Sequence, residues 1–173
     1  MNVLLAYATR NGSTREVAEA VAATLREHDA QVVLLPARAA REPVAGYDLV
    51  VLGAPLYSGR WHRDAHRFLR RHREELAGVP VAVFGMGPRS DTEDAWQRSR
   101  AQLDRALAKR SWLAPVAVTV FGGVDPPGRG GRERRDLRDW DTIRAWAADA
   151  LGAAGRSCSN RPGRHLGSPG IIS

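Results

Sequence analysis

Short runs of apolar, mostly β-branched residues return along this chain at intervals of which all but one hold a helix pattern, and that recurrence most constrains the fold. The runs are Val3 to Tyr7, Val32 to Leu35, Leu49 to Gly53, Val79 to Phe84 and Val116 to Phe121. They are nearly continuous in apolar character rather than alternating, as strands covered on both faces are. Helical periodicity fills Ser13 to His28, Trp61 to Leu76, Thr92 to Lys109 and Trp140 to Leu151. Strands that alternate with helices specify an α/β architecture with a parallel sheet between two helical layers. The connection Ala37 to Gly46 contains Pro43 and one weak helical turn, so that crossover should lack a proper helix. From Gly152 the sequence "GAAGRSCSNRPGRHLGSPGIIS" loses periodicity. One domain over 1–152 and a disordered tail over 153–173 are therefore expected.

Composition narrows the function. The 173 residues are 43% hydrophobic, which suits one core, and carry a formal net charge of +7. Arginine supplies almost all of the positive charge, Lys109 being the single lysine. Such a balance favours anionic ligands, acidic proteins, nucleic acid or an anionic membrane surface without choosing among them, although arginine in place of lysine can also reflect only a GC-rich genome. No spanning segment or cleaved leader is apparent, so a cytoplasmic protein is expected. The one cysteine, Cys158, leaves disulfides, thiolate metal sites and cysteine catalysis without support.

The stretch "ATRNGST" lies between the first strand and the first helix, where an open parallel sheet places its ligand crevice. Gly12 permits a tight turn that brings backbone N–H groups inward, Ser13 and Thr14 add hydroxyl donors, and the following helix directs its positive end at the same point. A phosphate monoester fits that chemistry. The stretch has neither the lysine of a nucleotide P-loop nor the three glycines of a dinucleotide turn. The alternative is a capped turn rich in Ser, Thr and Asn.

With Thr9, Gly12 and Thr14 in the pattern T/S-x-x-G-x-T, this loop resembles the FMN phosphate loop of the flavodoxin family. The ordered set "YDLVVLGAPLYSGRWHRDAHRFLRRHREEL", "VPVAVFGMGP" and "RDWDTIRAW" is similar to the flavodoxin-like branch that includes menaquinone-dependent protoporphyrinogen dehydrogenases. The resemblance implies a flavodoxin-like three-layer sandwich with a five-stranded parallel sheet in the order 2-1-3-4-5. It also implies FMN as cofactor, with the phosphate held by Thr9, Arg10, Asn11, Gly12, Ser13 and Thr14. The isoalloxazine would lie between the loop after the third strand (Ala54, Pro55, Leu56, Tyr57, Ser58, Gly59) and the loop after the fourth (Gly85, Met86, Gly87, Pro88, Arg89). Tyr57 is the candidate aromatic wall, or else an ordinary turn aromatic at the sheet edge. Gly59 would permit the positive φ that lets a carbonyl meet the flavin N5 proton.

Other constellations are declined. "GMGPRS" mimics a dinucleotide fingerprint, but Pro88 removes a donor and the segment follows the fourth strand. His62 and His66 have helical metal-ligand spacing, yet arginines surround them and no further ligand cluster appears. In the helix from Trp61, the residues Trp61, Ala65, Phe68, Leu69 and Leu76 should face the sheet, with Arg63, Arg67, Arg70, Arg71 and Arg73 outward. Those arginines are either solvated surface or a basic field that draws propionates, a quinone-bearing anionic membrane at the inner face of the cell membrane, or an acidic redox partner. Nucleic-acid binding has no supporting motif.

The leading expectation is an FMN-dependent oxidoreductase oxidising protoporphyrinogen with a quinone acceptor. The alternatives are a small electron-carrier flavodoxin and a flavodoxin-like module that has lost flavin. No residue stands out as an acid–base catalyst, as expected where a cofactor carries the chemistry.

Overall fold

Successive residues of the first strand feed opposite cores: Val3, Leu5 and Tyr7 pack into one apolar cluster, and Leu4, Ala6 and Ala8 into another. This two-sided burial is what a continuous apolar strand requires. The computed structural model describes residues 1–126 and 134–159. Its elements are β1 (Asn2–Tyr7), α1 (Ser13–Glu27), β2 (Gln31–Pro36), β3 (Leu49–Tyr57), β4 (Arg60–Trp61), α2 (Arg63–Arg71), α3 (Arg73–Leu76), β5 (Val81–Met86), α4 (Glu93–Ala108), β6 (Ala117–Phe121) and α5 (Trp140–Ser159). The long strands form a parallel sheet in the order β2-β1-β3-β5-β6, with β4 attached antiparallel to β3. With β4 set aside, this is the expected order 2-1-3-4-5.

Helices α1 and α5 cover one face, their buried stripes Val17, Ala18, Val21, Ala22, Leu25 and Ile143, Ala147, Ala150, Ala154 meeting β1, β3 and β5. The other face is covered by α2, α3 and α4 through Ala65, Phe68, Leu69, Leu76, Leu103 and Ala106. Among the described residues no helix is long and apolar enough to cross a membrane.

The connection between β2 and β3 contains turns in place of a helix, as expected. It is held instead by long-range bonds: Glu75 accepts from the backbone N–H of Val44 (2.5 Å) and Ala45 (3.0 Å), and the buried His72 lies 3.0 Å from the Ala40 carbonyl through Nε2. Ala37, Ala40 and Val44 are thereby sealed into the core.

Four elements have boundaries that differ from the sequence pattern. The expected helix Trp61 to Leu76 begins with a strand residue and breaks at His72, so that α2 and α3 are separate pieces. The third strand continues beyond Gly53 to Tyr57, and the next long strand includes Gly85 and Met86. Helix α5 continues beyond Leu151 to Ser159, because Ala154 prolongs its buried stripe and Gly152 and Gly155 do not interrupt it. The rest of the expected tail, 160–173, lies outside the described residues.

Candidate functional site

The ends of β1, β3 and β5 converge where the chain reverses its order of strand addition, and α1 begins there. Thr9 Oγ1 accepts from Gly12 N (2.9 Å), which closes the turn. Gly12 has φ +90° and a Cβ built on it would meet nothing within 4 Å, so its backbone conformation rather than space calls for glycine. No side chain caps α1. The N–H groups of its first turn have no intrahelical acceptors and carry the positive end of the helix dipole. Thr14 is buried, 1% exposed, and its hydroxyl has no hydrogen-bond partner. An unpaired buried hydroxyl costs about 1–3 kcal/mol. An oxyanion at the helix end would give it and the N–H groups a common acceptor. Arg10 and Asn11 are exposed on the same turn, and Ser13 is half-buried.

The guanidinium of Arg10 lies 5.9 Å from the centre of the Tyr57 ring, so the turn after β1 meets the end of β3. Ala54, Pro55, Leu56 and Tyr57, expected as loop, are strand residues. Ser58 (φ 46°) and Gly59 (φ 77°) then form a two-residue turn, and β4 pairs back with Leu56 opposite Trp61 and Tyr57 opposite Arg60. Positive φ at both central residues is what such a tight hairpin needs. Below it, Trp61 is 2% exposed and donates through Nε1 to the Ala54 carbonyl (3.2 Å). Ala54 lies in the core, whereas Tyr57 is half-buried at the rim.

Of the segment expected as loop here, Gly85 and Met86 belong to the strand and the Met86 side chain is in the core; of the residues that follow, Gly87 is half-buried, Pro88 buried and Arg89 exposed. Gly87 N donates to Phe121 O (2.7 Å) and Gly123 N to Pro88 O (2.8 Å). A Cβ on Gly87 would come within 2.3 Å of Val120 and 3.1 Å of Ser99 Cβ. This glycine serves packing between α4 and β6, which accounts for the dinucleotide-like spacing without a dinucleotide.

The two histidines are occupied separately. His62 caps α2, Nδ1 accepting from Asp64 N (3.2 Å), while His66 Nδ1 accepts from an Arg110 Nη (2.8 Å). Burial, reinforced by Arg110 and Lys109, holds His66 below the usual histidine range; burial, opposed by Asp64 and aided by Arg63 and Arg10, does the same for His62. No group of potential metal ligands occurs among the described residues.

Sequence reasoning missed Arg138 and the contribution of α4. Arg138, its side chain only 8% exposed, pairs with both Asp136 and Glu16 and so ties the approach to α5 onto the first turn of α1. Arg105 and Lys109 approach the hairpin from α4. Neither relation has a local sequence signal.

Residues 4–134 match a known family, the Flavodoxin domain. This chain belongs to the flavodoxin family. Among similar proteins, "Protoporphyrinogen IX dehydrogenase [quinone]" of Escherichia coli K12 is 32% identical over 129 residues, 73% of this chain and 71% of that protein. Among solved structures, oxidised flavodoxin 1 from Bacillus cereus superposes with a TM-score of 0.60 at 21% identity, covering 88% of this chain and 98% of the other. Two-electron reduced Megasphaera elsdenii flavodoxin gives 0.55 at 18% identity over 89% and 98%. At such identities the structural likeness speaks for the fold. FMN is the cofactor of this family, and the flavodoxin chain described here is an FMN-dependent oxidoreductase.

Proposed function

We propose that the chain oxidises a reduced, anionic small molecule of the protoporphyrinogen type and passes the electrons to a quinone. The relative at 32% identity supports the substrate pair. The observation that carries the cofactor's place is the unpartnered Thr14 hydroxyl, buried at an uncapped helix end. Thr14 and the first-turn N–H groups would hold the FMN phosphate, with Thr9 and Gly12 keeping the turn closed and Arg10, Asn11 and Ser13 around it. Tyr57, Ser58 and Gly59, together with Gly87, Pro88 and Arg89, would border the ring, and the strand residues Ala54, Pro55, Leu56, Gly85 and Met86 would support it from beneath.

When bound, FMN supplies the acceptance and release of two electrons, and each cycle moves two electrons and two protons from substrate to quinone. The protein positions and shields. Tyr57 offers an apolar face, and the hairpin presents backbone groups at a fixed register. The surrounding positive charge favours anionic substrates, by steering and by contact. The net charge of +7 counts against a soluble carrier that docks on basic partners.

The test is titration of the purified protein with FMN and with riboflavin, followed by visible absorbance and flavin fluorescence. FMN should bind one to one and much more tightly than riboflavin. Equal affinity would remove the phosphate site. Loaded protein should then reduce a soluble quinone when supplied with protoporphyrinogen, and failure to do so would leave the FMN reading and reject the substrate.

A further inference from the structure

Behind the Ser58–Gly59 hairpin, between it, α2 and α4, lies a cleft of about 540 Å³. Its rim carries Arg60, Arg63, Arg105 and Lys109, His66 lies within, and no carboxylate lines it. Among the described residues Arg60, Arg105 and Lys109 have no acidic partner, and Arg63 has only Asp64 at 3.9 Å. The Arg110 guanidinium adds a further cation directly behind His66. Like charges gathered without a counter-charge repel one another, and an anion between them relieves that repulsion.

His66 gives the cluster direction. Arg110 can only donate, so His66 Nδ1 is the acceptor and the ring's proton sits on Nε2. The edge-on contact with Trp61, with ring centres 5.7 Å apart, steadies the imidazole from the other side. Guanidinium, ammonium and a neutral Nε2–H, with the Gln102 amide beside them, form a donor-rich lining, which suits a ligand that only accepts. Trp61 and Ala106, 2% and 6% exposed, supply apolar surface at the base. A bare phosphate would leave that surface facing oxygen, whereas an organic carboxylate brings carbon to it. A flat bilayer reaches the rim cations but not the recessed imidazole.

We propose that this cleft is a carboxylate-binding subsite, which takes an acidic side chain of an organic substrate whose redox-active body lies toward the hairpin turn. The inference rests on the reading of that hairpin as part of the flavin site. It assigns anchoring to Arg105 on α4 and Lys109 at its C-terminal cap, with His66, rather than to the outward arginines of α2.

The test uses the full chain loaded with FMN, with terephthalate as a planar dicarboxylate probe and its dimethyl ester as the neutral control. Histidine side-chain NMR, assigned with His66→Asn, is the readout. Terephthalate should shift the His66 resonance saturably, and the ester should not. The variant Arg105→Gln with Lys109→Gln should weaken terephthalate binding by about tenfold or more, while Arg70→Gln with Arg73→Gln leaves it unchanged. FMN affinity, measured separately, should be the same in both variants. No His66 shift, equal binding of the ester, or undiminished binding in the Arg105/Lys109 variant would overturn the subsite. Inorganic phosphate binding the cleft more tightly than terephthalate would overturn the carboxylate assignment. So would cosedimentation with phosphatidylglycerol vesicles that depends on Arg105 and Lys109 while terephthalate has no effect. If FMN itself fails to bind, the flavin reading falls, and the same titration of the unloaded chain still decides whether the cleft takes carboxylates.

Discussion

Arg138 and Glu16, 122 residues apart in the chain, form an ion pair that fastens the segment entering α5 to the first turn of α1. Asp136 binds the same guanidinium and, with Glu16, holds it firmly protonated. Glu16 otherwise sits as an uncompensated negative charge beside the helix end that would receive a phosphate. Arg138→Gln should therefore weaken FMN binding by about 0.3–1 kcal/mol, the usual worth of a charge near a helix terminus. Glu16→Gln in the same chain should restore it. Equal FMN affinity in the single variant and wild type, measured by fluorescence titration, would show that the pair serves only to fasten the segment.

Thr14→Val separates binding from folding by sign. The valine keeps the shape and removes a buried hydroxyl that has no partner. The unloaded protein should be as stable as wild type or more so, by about 1 kcal/mol. FMN affinity should fall by about 1.5–3 kcal/mol through loss of a charge-assisted bond. Thermal unfolding with and without FMN measures both. Parallel loss of stability and affinity would mean that the hydroxyl supports the fold.

Gly12 should tolerate volume but not conformation. Since a Cβ there meets nothing within 4 Å at φ +90°, Gly12→Ala should cost about 1–2 kcal/mol of stability from the backbone alone. Gly12→Asn, better suited to left-handed geometry, should cost less although it is larger. The order of melting temperatures decides this, and a ranking by side-chain size would contradict the geometry.

Glu75 ties stability to acid pH. Partial burial pushes its carboxyl up, but the N–H groups of Val44 and Ala45, with His72, together bring it below its ordinary value of 4.5. The unfolded chain then binds more protons than the folded one in the window between the folded value and 4.5. The contribution is complete above 4.5 and is lost as pH falls through the folded value. Glu75→Gln should remove that part of the acid-unfolding slope and expose the connection between Ala37 and Gly46 to proteolysis, both measurable between pH 3 and 6.

The parallel layers were legible because they follow from local pattern: continuous apolar strands, and helix stripes such as Val17, Val21 and Leu25. The hairpin carries a local signal that competes with a helical one. Ser58-Gly59 between Tyr57 and Arg60 is turn chemistry, but the arginine-rich periodicity that follows led Trp61 to be read as the helix start. The break at His72 has no glycine or proline to announce it. The long reach of α5 is carried by Ala147, Ala150 and Ala154, small residues at helical spacing whose signal is weak beside the Gly/Ser/Pro composition that begins at Gly152. The Arg138–Glu16 pair and the assembly of α2 and α4 around the cleft depend on tertiary approach, and no local pattern contains them.

The β3–β4 hairpin also limits how this chain can change in length. Pairing of Leu56 with Trp61 and of Tyr57 with Arg60 leaves two residues for the turn. Adding or deleting one residue there would rotate Trp61 onto the opposite side of its ribbon, breaking its bond to Ala54 and removing the base of the basic cleft together with the ring that steadies His66. The hairpin therefore accepts substitutions far more readily than insertions, and a variant library that randomises its residues at constant length should retain many folded members where a one-residue insertion library retains few.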